Sequence, residues 1–303
     1  MMTLKQKSLG KRRRTPNPLP TIRRPNVAGQ FYEADAEALR EQIKNCFLNE
    51  LGPKKLPTVN LHSYPRNIAG MICPHAGYMY SGPVAASAFY ELALDGKPDT
   101  VVLLGPNHTG YGSALSVMSE GVWKTPLGNI EVDSKLANDI IHETCIIDVD
   151  ELAHRYEHSL EVQLPFLQFL YGNTFKIVPI CFLMQDYDSA VEVGGALEEA
   201  LDAKNTIVIA SSDMTHYESA KNAATKDHAA LKAITEMDAK GFYETIEKQK
   251  ITACGYAPIT ALITYASGIC AKATLLNYHN SGDITGDHSS VVGYAAVSFK
   301  KQL

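Results

Sequence analysis

The sequence has no Cys-x-x-Cys pair, no long apolar run and no internal repeat. Its six cysteines stand at wide, irregular spacings, so a structural zinc knuckle has no support and a disulfide framework is not expected. No stretch approaches the ~20 apolar residues of a membrane-spanning helix. The basic start is followed by TPNPLPTIRRP instead of an apolar segment, which excludes a secretory signal. We therefore expect a cytoplasmic protein.

Acidic residues are missing from residues 1–24, which hold eight basic side chains. The formal net charge of the whole chain is −5, so the remaining residues carry −13. An acidic body argues against nucleic acid as the main partner. We predict that residues 1–23 are a basic disordered leader, because several prolines follow the charges and little can be buried. Contact of this leader with RNA, anionic lipid or an acidic partner is the alternative.

Short apolar strands alternate with helical patterns along the rest of the chain, and no linker interrupts residues 24–303. TVVLLG (100–105) is an apolar run typical of a strand buried on both faces of a sheet. This alternation predicts a single α/β domain with a central, mostly parallel or mixed sheet and helices on both faces. The last two apolar segments predict a pair of antiparallel strands joined by a loop rich in glycine and aspartate.

Three of the apolar strands end in a short polar segment that contains a histidine. They are 68–73 followed by His75, 100–105 followed by His108, and 206–211 followed by Asp213 and His216. In open α/β sheets, sites form beyond the carboxyl ends of the strands, so these histidines are expected to meet. Imidazole ligands suit zinc, copper and iron. The sequence therefore predicts a metal site at this edge.

Cys254 is the fourth candidate, because it lies between polar and glycine residues in ITACGYAPI and Gly255 permits close backbone approach. A thiolate ligand favours iron, copper(I) or zinc. An inert, half-buried thiol ahead of a helix is the equal alternative. His158, Glu161 and His288 are candidates of second rank; the remaining histidines fit solvated helix faces, caps and loops.

Six segments resemble the Memo family (mediator of ErbB2-driven motility), whose members occur in archaea, bacteria and eukaryotes. In chain order they are RPNVAGQFY (24–32), PHAGYMYSGPVAA (74–86), LLGPNHTG (103–110), EHSLEVQLPFLQ (157–168), SSDMTHY (211–217) and ACGYAPI (253–259). The resemblance runs from about Arg24 to the C-terminus.

This resemblance implies a fold like that of the class III extradiol (LigB-type) dioxygenases, which use non-haem Fe(II). It also implies that His75 and His108 bind the metal, that Cys254 lies in the same pocket, and that Asp213 and His216 complete it. The dioxygenases have a carboxylate where this chain has Cys254, which departs from the 2-His-1-carboxylate triad. Members of the family are linked to iron or copper binding and to metal-dependent redox chemistry, and a phosphotyrosine-peptide role has been proposed for eukaryotic ones.

The main hypothesis is therefore a mononuclear, metal-dependent oxidoreductase. Fe(II) is the preferred metal, with copper or zinc as alternatives, and His216 acts as general base or extra ligand. Asp213 would orient His216, bind the metal or cap a helix. Three tyrosines are expected to line the pocket: Tyr78, Tyr80 and Tyr111.

Two other functions remain open. One is a non-catalytic metal carrier, or a module that uses an enzyme-like pocket for a peptide or other small ligand. The other is hydrolysis at zinc, with one coordination position open for water. The sequence does not give the substrate or the oligomeric state.

Overall fold

The structure is a computed structural model that describes residues 21–62, 66–201 and 205–302. Most of the predicted basic leader, residues 1–20, therefore lies outside the described residues. The described part forms one α/β domain with a large mixed sheet and helices on both of its faces. The predicted fold class is confirmed.

The strands form where apolar and β-branched residues follow one another, and the central ones are buried along nearly their whole length. The described strands are β1 (Ile22–Arg23), β2 (Ile68–Cys73), β3 (Thr100–Pro106), β4 (Leu115–Val117), β5 (Val122–Thr125), β6 (Gly128–Val132), β7 (Asp148–Val149), β8 (Lys176–Phe182), β9 (Thr206–Ser211), β10 (His216–Glu218), β11 (Ala271–Asn280) and β12 (Val291–Lys301).

The sheet runs in the order β1-β5-β6-β8-β3-β9-β2-β12-β10, with β11 paired to β12 and β4 paired to β7 and β8. Its centre is parallel, since β8, β3, β9 and β2 run in one direction. The C-terminal strands β11 and β12 are antiparallel, as predicted, and β12 joins the sheet beside β2. Consecutive parallel strands therefore present their carboxyl ends at one edge.

Helices cover both faces, and alternate residues of β3 show how the core divides. Val102 and Leu104 belong to one apolar cluster, whereas Val101 and Leu103 belong to the cluster on the opposite face. The described helices are α1 (Ala36–Leu48), α2 (Tyr78–Asp95), α3 (Ser134–Glu143), α4 (Leu152–Arg155), α5 (Leu164–Tyr171), α6 (Tyr187–Ala200), α7 (Ala220–Thr235), α8 (Ala239–Gln249), α9 (Tyr256–Gly268) and α10 (Gly282–Thr285). Within the described ranges, no helix is both long and apolar enough to cross a membrane.

The segment 158–172 is only partly α-helical in the structure. A 3₁₀ turn, Glu161–Gln163, leads into α5, and Pro165 lies in its first turn, where a missing backbone N–H costs little. The residues before the turn form a loop that continues to α4. This loop matters for the site, because it carries Glu157 and His158.

The N-terminal boundary of the domain also differs from the prediction. Strand β1 pairs in parallel with β5, and Arg23 is 5% exposed, so these residues belong to the domain and not to a solvated leader. Arg23 forms an ion pair with the buried Glu161 and donates from Nε to the carbonyl oxygen of His154 at 3.0 Å. A buried guanidinium needs such partners, because an unpaired buried charge is costly.

Candidate metal centre

The histidines predicted from the strand ends line one cavity of about 460 Å³. His75 follows β2, His108 follows β3, and Asp213 follows β9; these three strands are neighbours in the sheet. The same cavity is lined by His216 at the start of β10, by Cys254 in the loop before α9, and by His158. The structure therefore brings together all five residues of the first-rank prediction and one of second rank.

Three imidazoles form the tightest group of possible ligands. One ligand atom from each of His75, His108 and His158 lies within 4.8 Å of those of the other two. The ring of His75 is edge-on to the other two, whose rings stack with centroids 4.7 Å apart. We call these three residues the imidazole wall. Neither Cys254 nor His216 belongs to this group among the described residues.

The protonation of His75 follows from its hydrogen bonds. Its Nδ1 lies 2.8 Å from the hydroxyl oxygen of Ser211, which donates its only proton to the carbonyl of Ser159 at 2.7 Å. That hydroxyl can therefore only accept from His75, and it also accepts from Gln163 Nε2. Nδ1 carries the proton, and Nε2 is left with its lone pair. Burial, and then the neighbouring imidazoles, lower the pKa of His75, so the ring is neutral.

His108 is held by the carboxylate of Glu157. Its Nδ1 lies 2.9 Å from Glu157 Oε1, and its backbone N–H donates to Oε2. Burial alone would raise the pKa of Glu157, but the hydrogen bond and charge of His108 and the charge of His158 outweigh it and lower that pKa to about 2. Since an ionised carboxylate only accepts, Nδ1 of His108 is the donor, and in the neutral ring Nε2 carries the lone pair.

His158 completes the imidazole wall. Its Nδ1 is 3.4 Å from Glu157 Oε1, and its ring contacts Phe31 with centroids 4.8 Å apart. Burial lowers the pKa of His158, which makes its ring a neutral potential ligand.

Cys254, Asp213 and His216 also line the cavity, and we call these three residues the thiol wall. Cys254 Sγ lies 3.2 Å from His75 Nε2 and accepts from the backbone N–H of Asp213 at 3.3 Å. Burial, and then the charge of Asp213, raise the pKa of the Cys254 thiol, so it is protonated without a metal. The close packing here depends on Gly255, since a Cβ at that position would meet the carbonyl oxygen of Ser211 at 2.4 Å.

Asp213 positions the loop that carries His75. Its Oδ1 accepts from the backbone N–H groups of His75 at 2.8 Å and Ala76 at 3.3 Å. Burial raises the pKa of this carboxyl group. Its described hydrogen bonds join it to this loop and not to the ring of His216, so the role of Asp213 in orienting that ring stays a prediction.

His216 is held instead by Thr252. Its Nδ1 lies 2.9 Å from the carbonyl oxygen of Thr252, and its backbone N–H donates to Thr252 Oγ1 at 2.7 Å. A carbonyl only accepts, so Nδ1 of His216 carries the proton and Nε2 is free. His216 is partly exposed, unlike His75.

Several candidate residues lie elsewhere. Tyr78 is 2% exposed and donates from its hydroxyl to the carbonyl of Val162; Tyr80 and Tyr111 are also not among the residues that line the cavity. His288 is exposed on the loop between α10 and β12. Placing the three tyrosines in the pocket was therefore wrong.

Glu161 does not line the cavity; its contacts stabilise the fold. Besides its ion pair with Arg23, it accepts from the backbone N–H groups of Asn26 and Val27 and from the hydroxyl of Tyr32. The carboxylate that reaches the histidines is Glu157, four residues earlier. The sequence pattern offered one signal for it, which is its position directly before His158.

The donor set fits a transition metal. His75 and His108 have free Nε2 lone pairs, and the neutral His158 and the thiol of Cys254 are close by. Neutral imidazole and thiolate are ligands of iron, copper and zinc, whereas magnesium and calcium prefer oxygen. Hydrogen bonding of the second ring nitrogen to a carboxylate or hydroxyl is typical of histidines that bind metals.

Comparisons with known proteins agree over nearly the full length. Residues 23–298 match the family model described as Memo-like protein. A MEMO1 family protein of Sulfolobus acidocaldarius is 49% identical, covering 92% of this chain and 99% of the relative. Another, from Methanothermobacter thermautotrophicus, is 50% identical, covering 91% of this chain and all of the relative.

A solved structure agrees at the level of the fold. The crystal structure of an uncharacterised protein from Escherichia coli K12 superposes with a TM-score of 0.52 and 13% sequence identity. The match covers 76% of this chain and 99% of that chain. At this identity the likeness supports the architecture alone.

Proposed function

The chain belongs to the Memo-like family, and from that premise we propose that it binds one iron or copper ion at the imidazole wall and carries out metal-dependent redox chemistry. The observation that supports this most is the assignment of the ring protons. Ser211, Glu157 and the carbonyl of Thr252 each accept an Nδ1 proton, which in the neutral rings leaves Nε2 without a proton on three histidines around one cavity. A hydrogen-bond partner on the second ring nitrogen is typical of histidines that bind metals.

In this proposal, His75 and His108 are ligands, and His158 and Cys254 are the candidates for the third position. Fe(II) is the preferred metal, and copper or zinc are the alternatives. When bound, the metal supplies a redox couple and a Lewis acid. Asp213 keeps the His75 loop in place through two backbone hydrogen bonds.

His216 moves protons in the proposed reaction. Its free Nε2 accepts a proton from a bound molecule, while Nδ1 remains tied to the Thr252 carbonyl, which stabilises the ring orientation. It lies on the exposed side of the cavity, where it can exchange that proton with solvent. The thiol of Cys254 must lose its proton to become a ligand, so binding there releases about one proton per metal.

The test is metal identification on protein purified without oxygen. We expect near-stoichiometric iron or copper in the wild type, loss of the metal in His75→Ala, and retention in the control His288→Ala, whose histidine is exposed and outside the cavity. If wild type and His75→Ala are equally empty after loading with Fe(II), Cu(I) and Zn(II), the proposal fails.

A metal carrier is the second candidate, and the thiol favours it. Cys254 stands where the dioxygenases have a carboxylate, and a soft ligand suits storage or transfer of copper(I). Oxygen uptake and product formation with a panel of catechols separates the two functions. Turnover that is lost in His216→Gln supports the enzyme, whereas stoichiometric metal without turnover supports the carrier.

We also propose a cytoplasmic location. All six cysteines are free, four of them buried or partly buried, which suits a reducing compartment. Fractionation of cells with an antibody to the protein tests this.

A further inference from the structure

Glu157 is a buried acid that does not line the cavity, yet it is in contact with two of the cavity's histidines. It is 1% exposed and accepts several N–H donors. They are the backbone N–H of His108, His158 and Ser159 and the ring Nδ1–H of His108. A carboxylate in such a place is costly unless these donors are present.

We propose that Glu157 is the positioning residue of the metal centre, and that it acts through His108 and His158 at once. This inference rests on the proposed function, in which both imidazoles face the metal. Glu157 itself does not contact the metal; its effect is to fix which nitrogen of the His108 ring is available and where the rings of His108 and His158 lie.

The carboxylate of Glu157 accepts two hydrogen bonds from His108. Oε2 accepts from the backbone N–H of His108, and Oε1 accepts from its ring, so one rigid carboxylate joins the main chain and the side chain of a single residue. Rotation of the ring would break a charge-assisted hydrogen bond. The Nδ1-protonated tautomer is therefore held, and Nε2 remains free.

The same oxygen also faces His158. Oε1 is 2.9 Å from His108 Nδ1 and 3.4 Å from His158 Nδ1, and the two rings stack with centroids 4.7 Å apart. A shift of this one carboxylate therefore displaces two of the three imidazoles. His75 is independent of it, because its Nδ1 is held by Ser211.

The backbone of Glu157 is held by Arg23 of the N-terminal strand β1. Arg23 donates from Nη2 to the carbonyl oxygen of Glu157 and from Nη1 to Glu161. Arg23 therefore holds this loop at the backbone of Glu157 and at the carboxylate of Glu161, while the carboxylate of Glu157 is left to face the histidines. This pair supplies a matched control, since both residues are buried glutamates on one short segment.

The experiment compares Glu157→Gln with Glu161→Gln in the full chain. An amide offers one accepting oxygen and one donating NH₂ group, so at position 157 it cannot accept from both the backbone and the ring of His108. We expect the affinity for Co(II) to fall ~10–100-fold in Glu157→Gln. We also expect the ¹⁵N shifts of the metal-free protein to show that His108 no longer holds its proton only on Nδ1.

Glu161→Gln is expected to lower the melting temperature, because it leaves Arg23 without its buried counter-ion, but to leave the Co(II) affinity and the His108 tautomer unchanged below that temperature. If the role of Glu157 were only structural, Glu157→Gln would behave like Glu161→Gln: its melting temperature would fall, and its Co(II) affinity and His108 tautomer would be unchanged. Asp227→Asn is a second control, because that buried carboxylate accepts from Thr215 and Tyr278 and from no imidazole.

An unchanged tautomer and affinity in Glu157→Gln would overturn the inference. If the wild type binds no metal, the proposed function fails, while the tautomer of the metal-free protein still decides the role of Glu157. Should Glu157→Gln not fold, Glu157→Asp is measured instead, whose charge is kept and whose shorter side chain cannot span both donors. Wild-type tautomer and affinity in that variant would equally reject the inference.

Discussion

The two sides of the cavity are built on different principles. On the imidazole wall, His75 is 2% exposed and has its second ring nitrogen tied to a buried hydroxyl, and His108 is tied to a buried carboxylate. On the thiol wall, His216 is partly exposed and Cys254 keeps its proton. In the proposed function, the imidazole wall offers ring nitrogens that carry no proton, whereas Cys254 on the thiol wall must lose its proton before it binds.

This difference suggests a division of labour. Imidazole rings whose Nε2 carries no proton contribute to metal affinity, because no proton has to leave before the metal binds. A protonated thiol and an accessible imidazole are suited to steps that move protons. The two walls meet between Cys254 Sγ and His75 Nε2, which are 3.2 Å apart.

The largest expected effect tests which wall carries the affinity. We expect His108→Ala to weaken Co(II) binding at least ~100-fold, and Cys254→Ser to weaken it only ~10-fold, which correspond to about 2.7 and 1.4 kcal/mol. Isothermal titration of the metal-free proteins at pH 7 measures both. A larger loss in Cys254→Ser would reverse the comparison and make the thiol the principal ligand.

The next effect is the dependence of stability on pH. Burial lowers the pKa of His75, His158 and the nearby His154, the last to about 3. Because the unfolded chain binds protons on these rings near pH 6.5 and the folded chain does so only at lower pH, stability is full above that pH and is lost as pH falls towards the folded values.

We expect His154, whose folded pKa is about 3, to cost the metal-free protein about 2 kcal/mol between pH 7 and pH 5, and the buried His75 to add to this loss. Urea unfolding at the two pH values measures the loss. His158→Gln should reduce it. A stability that is equal at both pH values would show that His75 and His154 are not buried as neutral rings.

A smaller effect concerns the acceptor of the His75 proton. Ser211→Ala removes the hydroxyl that also accepts from Gln163, so both donors lose a partner. We expect Co(II) affinity to fall ~10-fold, as is typical for outer-shell partners of histidine ligands. Ser289→Ala, at an exposed position in the loop before β12, is the control. Equal affinities would mean that His75 needs no fixed tautomer.

The smallest effect is expected at the rim of the thiol wall. Tyr217 is 79% exposed and has a φ of 59°, a backbone conformation that costs non-glycine residues energy. We expect Tyr217→Gly to stabilise the chain by about 0.5 kcal/mol, whereas Tyr217→Ala gives no gain. Thermal unfolding measures both. A destabilised Tyr217→Gly would show that the ring makes contacts that compensate for the strain.

Much of the architecture could be predicted because the central strands are continuous apolar segments of the sequence. Residues 100–105 and 206–211 lie in β3 and β9, and the rule that parallel strands present their carboxyl ends at one edge predicts that His75 and His108 lie near each other. The three histidines that follow strands were informative for this reason.

The remaining parts could not be predicted, because they depend on packing between distant segments. Glu157 and Glu161 are the same residue type and lie four positions apart, yet one contacts His108 and the other contacts Arg23. Only the path of the loop between α4 and α5 decides which. Tyr78 was misplaced for a similar reason, since α2 begins at that residue and turns its side chain into the core.

Arg23 has a consequence for how the protein comes to be assembled on the ribosome. It is made early, but 138 positions separate it from Glu161. At about 5–20 residues per second, roughly 7–30 seconds of synthesis pass before its counter-ion exists. The loop with Glu157 and His158 can make its contacts with Arg23 only then, and β9, the strand that joins β2 to β3, is made later still.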